Sequence, residues 1–150
     1  MTSLNNETAL VTGSARGIGR AIAERYAALG ANVVINYSTG ESQARETVAA
    51  IEQAGGTVLA VQANVARAAD VDRLFDATLE RFGSLDIVVV EVLSKEIGAR
   101  GVTVNSILPT ATDGAGVFTD GVPENVAQLI QSIRPIKRMG TVDDAAEYLA

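Results

Sequence analysis

The sequence predicts a doubly wound α/β domain built on a parallel sheet. Two observations carry that reading. Short apolar, β-rich segments alternate with amphipathic helical patterns, and a glycine closes each helix just before the next strand. The segments fall at 8–12 (TALVT), 32–36 (NVVIN), 57–62 (TVLAVQ), 85–90 (LDIVVV) and 102–108 (VTVNSIL). Several are nearly continuous in apolar residues, the pattern of strands buried on both faces.

Between the strands the apolar period changes to that of a helix. Ile18, Ala21, Ile22 and Leu29 share one helical face, and Ala44, Val48 and Ile51 share another. Val71, Leu74, Phe75, Leu79 and Phe82 form a third stripe at the i, i+3, i+4 spacing. Gly30, Gly55–Gly56, Gly83 and Gly101 then mark helix ends, because only glycine takes the left-handed position after a helix without steric cost. Strand, helix, glycine, strand is the βαβ unit, and its repetition makes a parallel sheet. No linker or low-complexity tract interrupts the chain, so residues 1–150 are read as a single domain. Near the C-terminus, Val126, Leu129, Ile130 and Ile133 form an apolar stripe that either lines a pocket or packs on the core or a neighbouring subunit. Residues 141–150 read as an amphipathic helix.

Composition removes several function classes. The chain has no Cys and no His, so disulfide frameworks, thiolate nucleophiles, Cys- or His-based metal sites and His-dependent triads are all absent. Twelve basic against eighteen acidic residues give a net charge of −6, which argues against nucleic acid or an anionic membrane as the main partner. No apolar run approaches the roughly 18–20 residues of a membrane span, and residues 1–10 lack the basic and apolar regions of a signal peptide. A soluble, cytoplasmic protein acting on a small molecule is expected.

The first strand runs into Thr12-Gly13-Ser14-Ala15-Arg16-Gly17-Ile18-Gly19, and a helix follows. Gly13 permits the tight turn, Gly17 lets backbone approach a pyrophosphate, and Gly19 allows close packing of helix on sheet. The helix N-terminus then presents unpaired N–H groups and a partial positive charge to an anion. Strand before and helix after make this glycine pattern a dinucleotide-phosphate turn rather than a mere sharp bend.

The spacing GxxxGxG in residues 12–19 resembles the TGxxxGIG signature of the short-chain dehydrogenase/reductase family. The second strand, Ala63-Asn64-Val65, 85–89 (LDIVV) and 102–112 (VTVNSILPTAT) fit the same pattern in order. The resemblance implies a Rossmann-like, NAD(P)-dependent oxidoreductase. It would oxidise alcohols or reduce carbonyls and assemble as a homo-oligomer, dimer or tetramer. It places Gly13, Ser14, Arg16, Gly17, Ile18 and Gly19 at the phosphates and Asn36, Tyr37 and Ser38 near the adenosine ribose. Asn64 and Val65 match an Asp-Val pair beside the adenine. Pro109 and Thr112 match a loop over the nicotinamide, where Thr110 and Gly114 depart from the family's Gly and Thr. Gly114, Gly116 and Gly121 suit either a mobile lid or a disordered loop.

An acid at the end of the second strand would bind the ribose and repel a 2′-phosphate. Asn36-Tyr37-Ser38 has none, and Arg16 can reach a 2′-phosphate bidentately. NADP(H) is therefore favoured over NAD(H).

The resemblance also implies a catalytic Tyr, a Lys four residues on, a Ser and an Asn. Tyr26, Tyr37 and Tyr148 are the tyrosines, and none is followed within the sequence by Lys at that spacing. Ser94-Lys95 cannot act as a dyad, because adjacent helical residues do not face each other. No catalytic group is assigned. Val90 passes at once into 91–97 (EVLSKEI), a helix-forming run with no turn residue, where the family pattern has about two further βα units of roughly 30 residues. The chain is thus read as incomplete, with a gap at 90/91 and a truncated C-terminus. Either a longer enzyme's active-site segment is missing from the sequence or the deletion is real, and foldability favours the first. The alternative to an oxidoreductase is a non-catalytic NADP(H)-binding module or an inactive fragment.

Overall fold

The computed structural model describes residues 3–90, 103–106, 112–113, 123–124, 128, 140–143 and 146. In chain order the elements are β1 (Thr8–Val11), α1 (Gly17–Ala28), β2 (Asn32–Tyr37), α2 (Glu41–Gln53), β3 (Thr57–Gln62), α3 (Ala68–Phe82), β4 (Ile87–Val90) and β5 (Thr103–Ser106). Two short strands, β6 (Thr112–Asp113) and β7 (Gly140–Thr141), pair with each other. The main sheet has the order β3-β2-β1-β4-β5, and every pairing in it is parallel. This is the doubly wound, Rossmann-like architecture expected from the alternation of strands and helices.

Strand parity explains the layers. Successive side chains on a strand point to opposite faces. Ala9, Val11, Val33, Ile35 and Val89 form one core with Ile22, Ala23 and Tyr26 of α1 and Ile51 of α2. The alternate residues Leu10, Val34, Val88 and Val90 form the other core with Leu74, Phe75 and Phe82 of α3. Ala146 is buried in the first core; Thr141, where the expected C-terminal helix begins, lies instead in the short strand β7. Gly30, Gly55 and Gly83 have φ of +96°, +83° and +79°, matching their role as helix stops; Gly101 lies outside the described residues.

Three expectations need adjusting. Residues 57–62 form the edge strand β3, whose side chains are only half-buried or exposed, because an edge strand has a neighbour on one side alone. Leu79 is 44 % exposed, so the apolar stripe of α3 is narrower in fact than in sequence. The fourth strand starts at Ile87; Leu85 and Asp86 precede it, and the Asp86 carboxylate accepts hydrogen bonds from Thr8 N at 2.8 Å and Ser84 Oγ at 3.0 Å.

The strand order reverses between β1 and β4. β1, β2 and β3 step outwards on one side, and β4 returns to the other side of β1. In open α/β sheets ligands bind at the carboxyl ends of the strands at such a reversal. On the far side, β5 pairs with β4 from Ile87↔Thr103 to Val90↔Ser106. In the sequence only twelve residues, 91–102, separate the two strands, the lower limit of about a dozen for a parallel connection.

Candidate functional site

The turn that leaves β1 lies at this reversal. Gly13 and Gly17 take φ of +64° and +60°, the left-handed region open to glycine. Gly19 serves a different need. A Cβ there would lie 2.7 Å from the Gly13 carbonyl oxygen and 2.9 Å from Ser14 Cα, so only glycine lets α1 sit this close to the turn.

The back of the turn is tied to the scaffold by hydrogen bonds. Thr12 donates to the Val89 carbonyl from N at 3.0 Å and from Oγ1 at 3.3 Å, fixing the turn to β4. Ser14 N donates to the Asn36 carbonyl at 3.0 Å, and Ser14 Oγ donates to the Val11 carbonyl at 2.6 Å. Asn36 N donates to Ser14 Oγ at 3.2 Å. Thr47 Oγ1, fully buried on α2, donates to the Ala15 carbonyl at 3.0 Å. Side chains thus hold residues 12–15 from behind. In front, Arg16 is extended at the N-cap of α1 and no side chain caps that helix. The first N–H groups of α1 have no intrahelical acceptor, which suits an anion.

The structure separates the expected site residues into two groups. Ser14 and Asn36 are buried, and their side-chain hydrogen bonds are made within the protein. Asn36 Nδ2 donates to the Ala63 carbonyl at 3.0 Å and to that of Val61 at 3.4 Å, while its Oδ1 accepts from Gly13 N at 3.4 Å. They lie beneath the turn. Gly13, Arg16, Ser38, Asn64 and Val65 are exposed, around the carboxyl ends of β1, β2 and β3. Gly17, Ile18 and Gly19 are half-buried in the first turn of α1.

Tyr37 follows Asn36 on the opposite face of β2 and lines a groove of about 390 Å³ with Glu41 and Arg45 of α2 and Val58 of β3. Glu41, the nearest acid after Ser38, is held by Arg45 at 2.6 Å. Asn64 closes a local turn, its Oδ1 accepting from Ala66 N at 3.0 Å and its N donating to Asp70 Oδ2 at 2.8 Å. That turn leaves Val65 51 % exposed.

Thr112 lies in β6, paired with Gly140. Pro109, Thr110, Gly114, Gly116, Gly121, Val126, Leu129, Ile130 and Ile133 lie outside the described residues, as do Ser94, Lys95 and Tyr148. Thr47 was not singled out in sequence, although a signal was present: it lies on the buried face of α2 with Ala44, Val48 and Ile51, where a hydroxyl needs a partner. Among the described residues, Tyr26 is buried in the first core, and burial pushes its phenol above the ordinary value near 10, which is opposite to what an acid–base catalyst needs at neutral pH. No group of three or more acidic, His or Cys side chains that could hold a metal ion occurs among the described residues. Nor is any helix among them long and apolar enough to cross a membrane.

Comparison with known proteins agrees with this geometry. The family model described as short chain dehydrogenase matches residues 7–92. A 3beta-hydroxysteroid dehydrogenase 1 of Eggerthella lenta is 54% identical over 86 residues, 57% of this chain and 33% of that protein. A 3-oxoacyl-[acyl-carrier-protein] reductase of Synechocystis is 48% identical over 89 residues, 59% of this chain and 36% of that protein. The chain therefore spans about a third of the length of the curated relatives it matches. Among solved structures, a short chain dehydrogenase from Burkholderia cenocepacia in complex with NADP superposes with a TM-score of 0.77 at 26% identity, over 98% of this chain and 90% of that one. With the glycine turn, the strand order and the family match in agreement, this chain belongs to the short-chain dehydrogenase family.

Proposed function

We propose that the chain supplies the cofactor-binding part of an NADP(H)-dependent oxidoreductase that exchanges hydride with an alcohol or carbonyl substrate. The observation that carries this reading is the turn after β1, braced from behind and open in front, with no side chain capping α1. The residues fit a dinucleotide. The backbone of Gly13, Gly17, Ile18 and Gly19 would take the pyrophosphate, and exposed Val65 gives an apolar surface for the adenine. Asn64 would flank the same base, Tyr37 and Ser38 the ribose, and Pro109 and Thr112 the nicotinamide. When bound, the nicotinamide supplies the hydride. Ser14 and Asn36 serve the same cofactor from beneath, through the turn they hold.

Preference for the 2′-phosphorylated cofactor is supported by Arg16. It is exposed at the N-cap of α1 and has no ion pair among the described residues, while the nearest acid after β2, Glu41, is engaged by Arg45. The catalytic Tyr and Lys belong, in this reading, to a segment between Val90 and Glu91 that the chain does not carry. Cytoplasmic location and a dimeric or tetrameric assembly are part of the proposal, in keeping with the cysteine-free composition and the family.

The test is binding of NADPH and NADH, followed by nicotinamide fluorescence, to the wild-type chain and to Arg16→Glu. A charge-assisted hydrogen bond contributes about 1.5–3 kcal/mol. The substitution should therefore weaken NADPH about ten- to a hundredfold and leave NADH nearly unchanged. Equal affinity for the two nucleotides in the wild-type chain would refute the preference, and no binding of either would refute the cofactor reading.

A further inference from the structure

The Asn36 side chain joins two loops that are far apart in sequence. Its Oδ1 accepts from Gly13 N at 3.4 Å, in the turn after β1. Its Nδ2 donates to the Ala63 carbonyl at 3.0 Å, at the start of the loop after β3, and to the Val61 carbonyl at 3.4 Å, within β3. The residue is only 2 % exposed, so water cannot readily replace these partners. A carboxamide is suited to the place because it both accepts and donates. An aspartate would set a carboxylate against two carbonyl oxygens, and an aliphatic residue would leave three backbone groups without this partner.

We infer that Asn36 is a positioning residue that locks the turn at Gly13 to the loop carrying Asn64 and Val65, so that the two walls of the cofactor cleft hold one fixed spacing. The inference rests on the cofactor reading above, and it adds a role that contact with the cofactor does not require. Asn36 acts through Gly13 on the pyrophosphate side and through Ala63 on the adenine side. Ser14 reinforces only the first of these, since its bonds run to Val11 and to the Asn36 backbone. Because the walls are set before the ligand arrives, less ordering has to occur on binding.

The test compares wild type with Asn36→Ala and Asn36→Ser, the second keeping a polar group should the first fail to fold. Serine is too short to bridge the two loops. Amide hydrogen exchange of the free protein should rise in both loops together, at 13–16 and at 63–67, by about tenfold, the loss of roughly one net hydrogen bond. The interiors of α1 and α3 should keep the wild-type rate. NADPH and NADH should both weaken about tenfold with their ratio retained, unlike the Arg16 variant, which changes the ratio. A rise in one loop only, a uniform rise through the whole molecule, or no rise would each overturn the coupling. Should the wild-type chain bind neither nucleotide, the cofactor reading falls, and hydrogen exchange in the free protein still decides the coupling.

Discussion

Replacing Gly19 by alanine puts the packing of the turn to a quantitative test. The new methyl would meet the Gly13 carbonyl oxygen at 2.7 Å, Ser14 Cα at 2.9 Å and the Gly13 carbonyl carbon at 3.0 Å. All three are backbone atoms, and their chain is held by the bonds of Ser14, Asn36 and Thr47, so they cannot swing aside as a flexible side chain would. Overpacking of this kind costs about 1–3 kcal/mol. Against it stands a gain of up to about 1 kcal/mol, since alanine is the better helix former. The net expectation is a loss of about 1–2 kcal/mol, which lowers Tm by about 2–8 °C in a domain of this size. The turn must also shift to make room, so NADPH affinity should fall more than the stability does, by tenfold or more. Thermal unfolding by circular dichroism and an NADPH titration read the two effects. Gly55→Ala is the control: its φ is +83° and no atom lies within 4 Å of the added Cβ, so it adds backbone strain away from the turn and should leave the affinity unaltered. A Gly19→Ala protein as stable as wild type, with unchanged NADPH affinity, would refute the close approach of α1 to the turn.

Other expectations follow from the cores. Burial raises the Tyr26 phenol above its ordinary value near 10, so the folded state binds that proton more tightly than the unfolded state. Its contribution to stability is complete below about pH 10 and is lost as the pH climbs through the raised value. Urea midpoints between about pH 8 and 11 should therefore fall less steeply in Tyr26→Phe than in wild type, and parallel slopes would contradict the assignment. On α3, Leu74→Ala removes a side chain only 1 % exposed and should cost about 2–5 kcal/mol. Leu79→Ser, at a position 44 % exposed, should stay within about 1 kcal/mol by the same denaturation assay; similar losses for both would mean that α3 is turned differently on the sheet.

What could be read from the sequence was what depends on neighbours along the chain. The glycines of the turn, the strands at 8–12 and 57–62 and the helix stops at Gly30, Gly55 and Gly83 all follow from backbone sterics and local period. What escaped depends on partners distant in sequence. The segments 57–62 and 85–90 both read as strands, with four and five apolar residues of six, yet neither names its neighbours: β3 lies at the sheet edge and β4 between β1 and β5. Asn36 reads as a residue at the end of a strand beside the ribose. Its burial comes from Gly13 and Ala63, 23 and 27 residues away. Thr47 reaches Ala15 across 32 residues. A polar residue on an otherwise apolar face announces that a partner exists; which partner is a property of the assembled fold.

The bonds that shape the proposed cofactor cleft lie between residues 11 and 89, within the span matched by the family model. Among the described residues, none of these bonds draws on β5, β6 or β7. Cofactor binding and turnover should therefore separate in this chain. The walls proposed for the pyrophosphate and the adenine come from the first four strands and three helices, whereas no Tyr in the sequence is followed by Lys at the spacing the family's catalysis uses. A phenol needs a neighbouring cation to transfer protons well at neutral pH. Incubated with NADPH, the chain should gain thermal stability, by about 2.7 kcal/mol when the nucleotide stands at 100 times its Kd. In the same solution, absorbance of the reduced nicotinamide should not decline on adding a generic ketone. Stabilisation without turnover supports a cleft that is complete apart from its acid–base groups. Turnover by the purified chain would show that another residue donates the proton, and the search would then move to the tyrosines and lysines outside the described residues, Tyr148, Lys95 and Lys137.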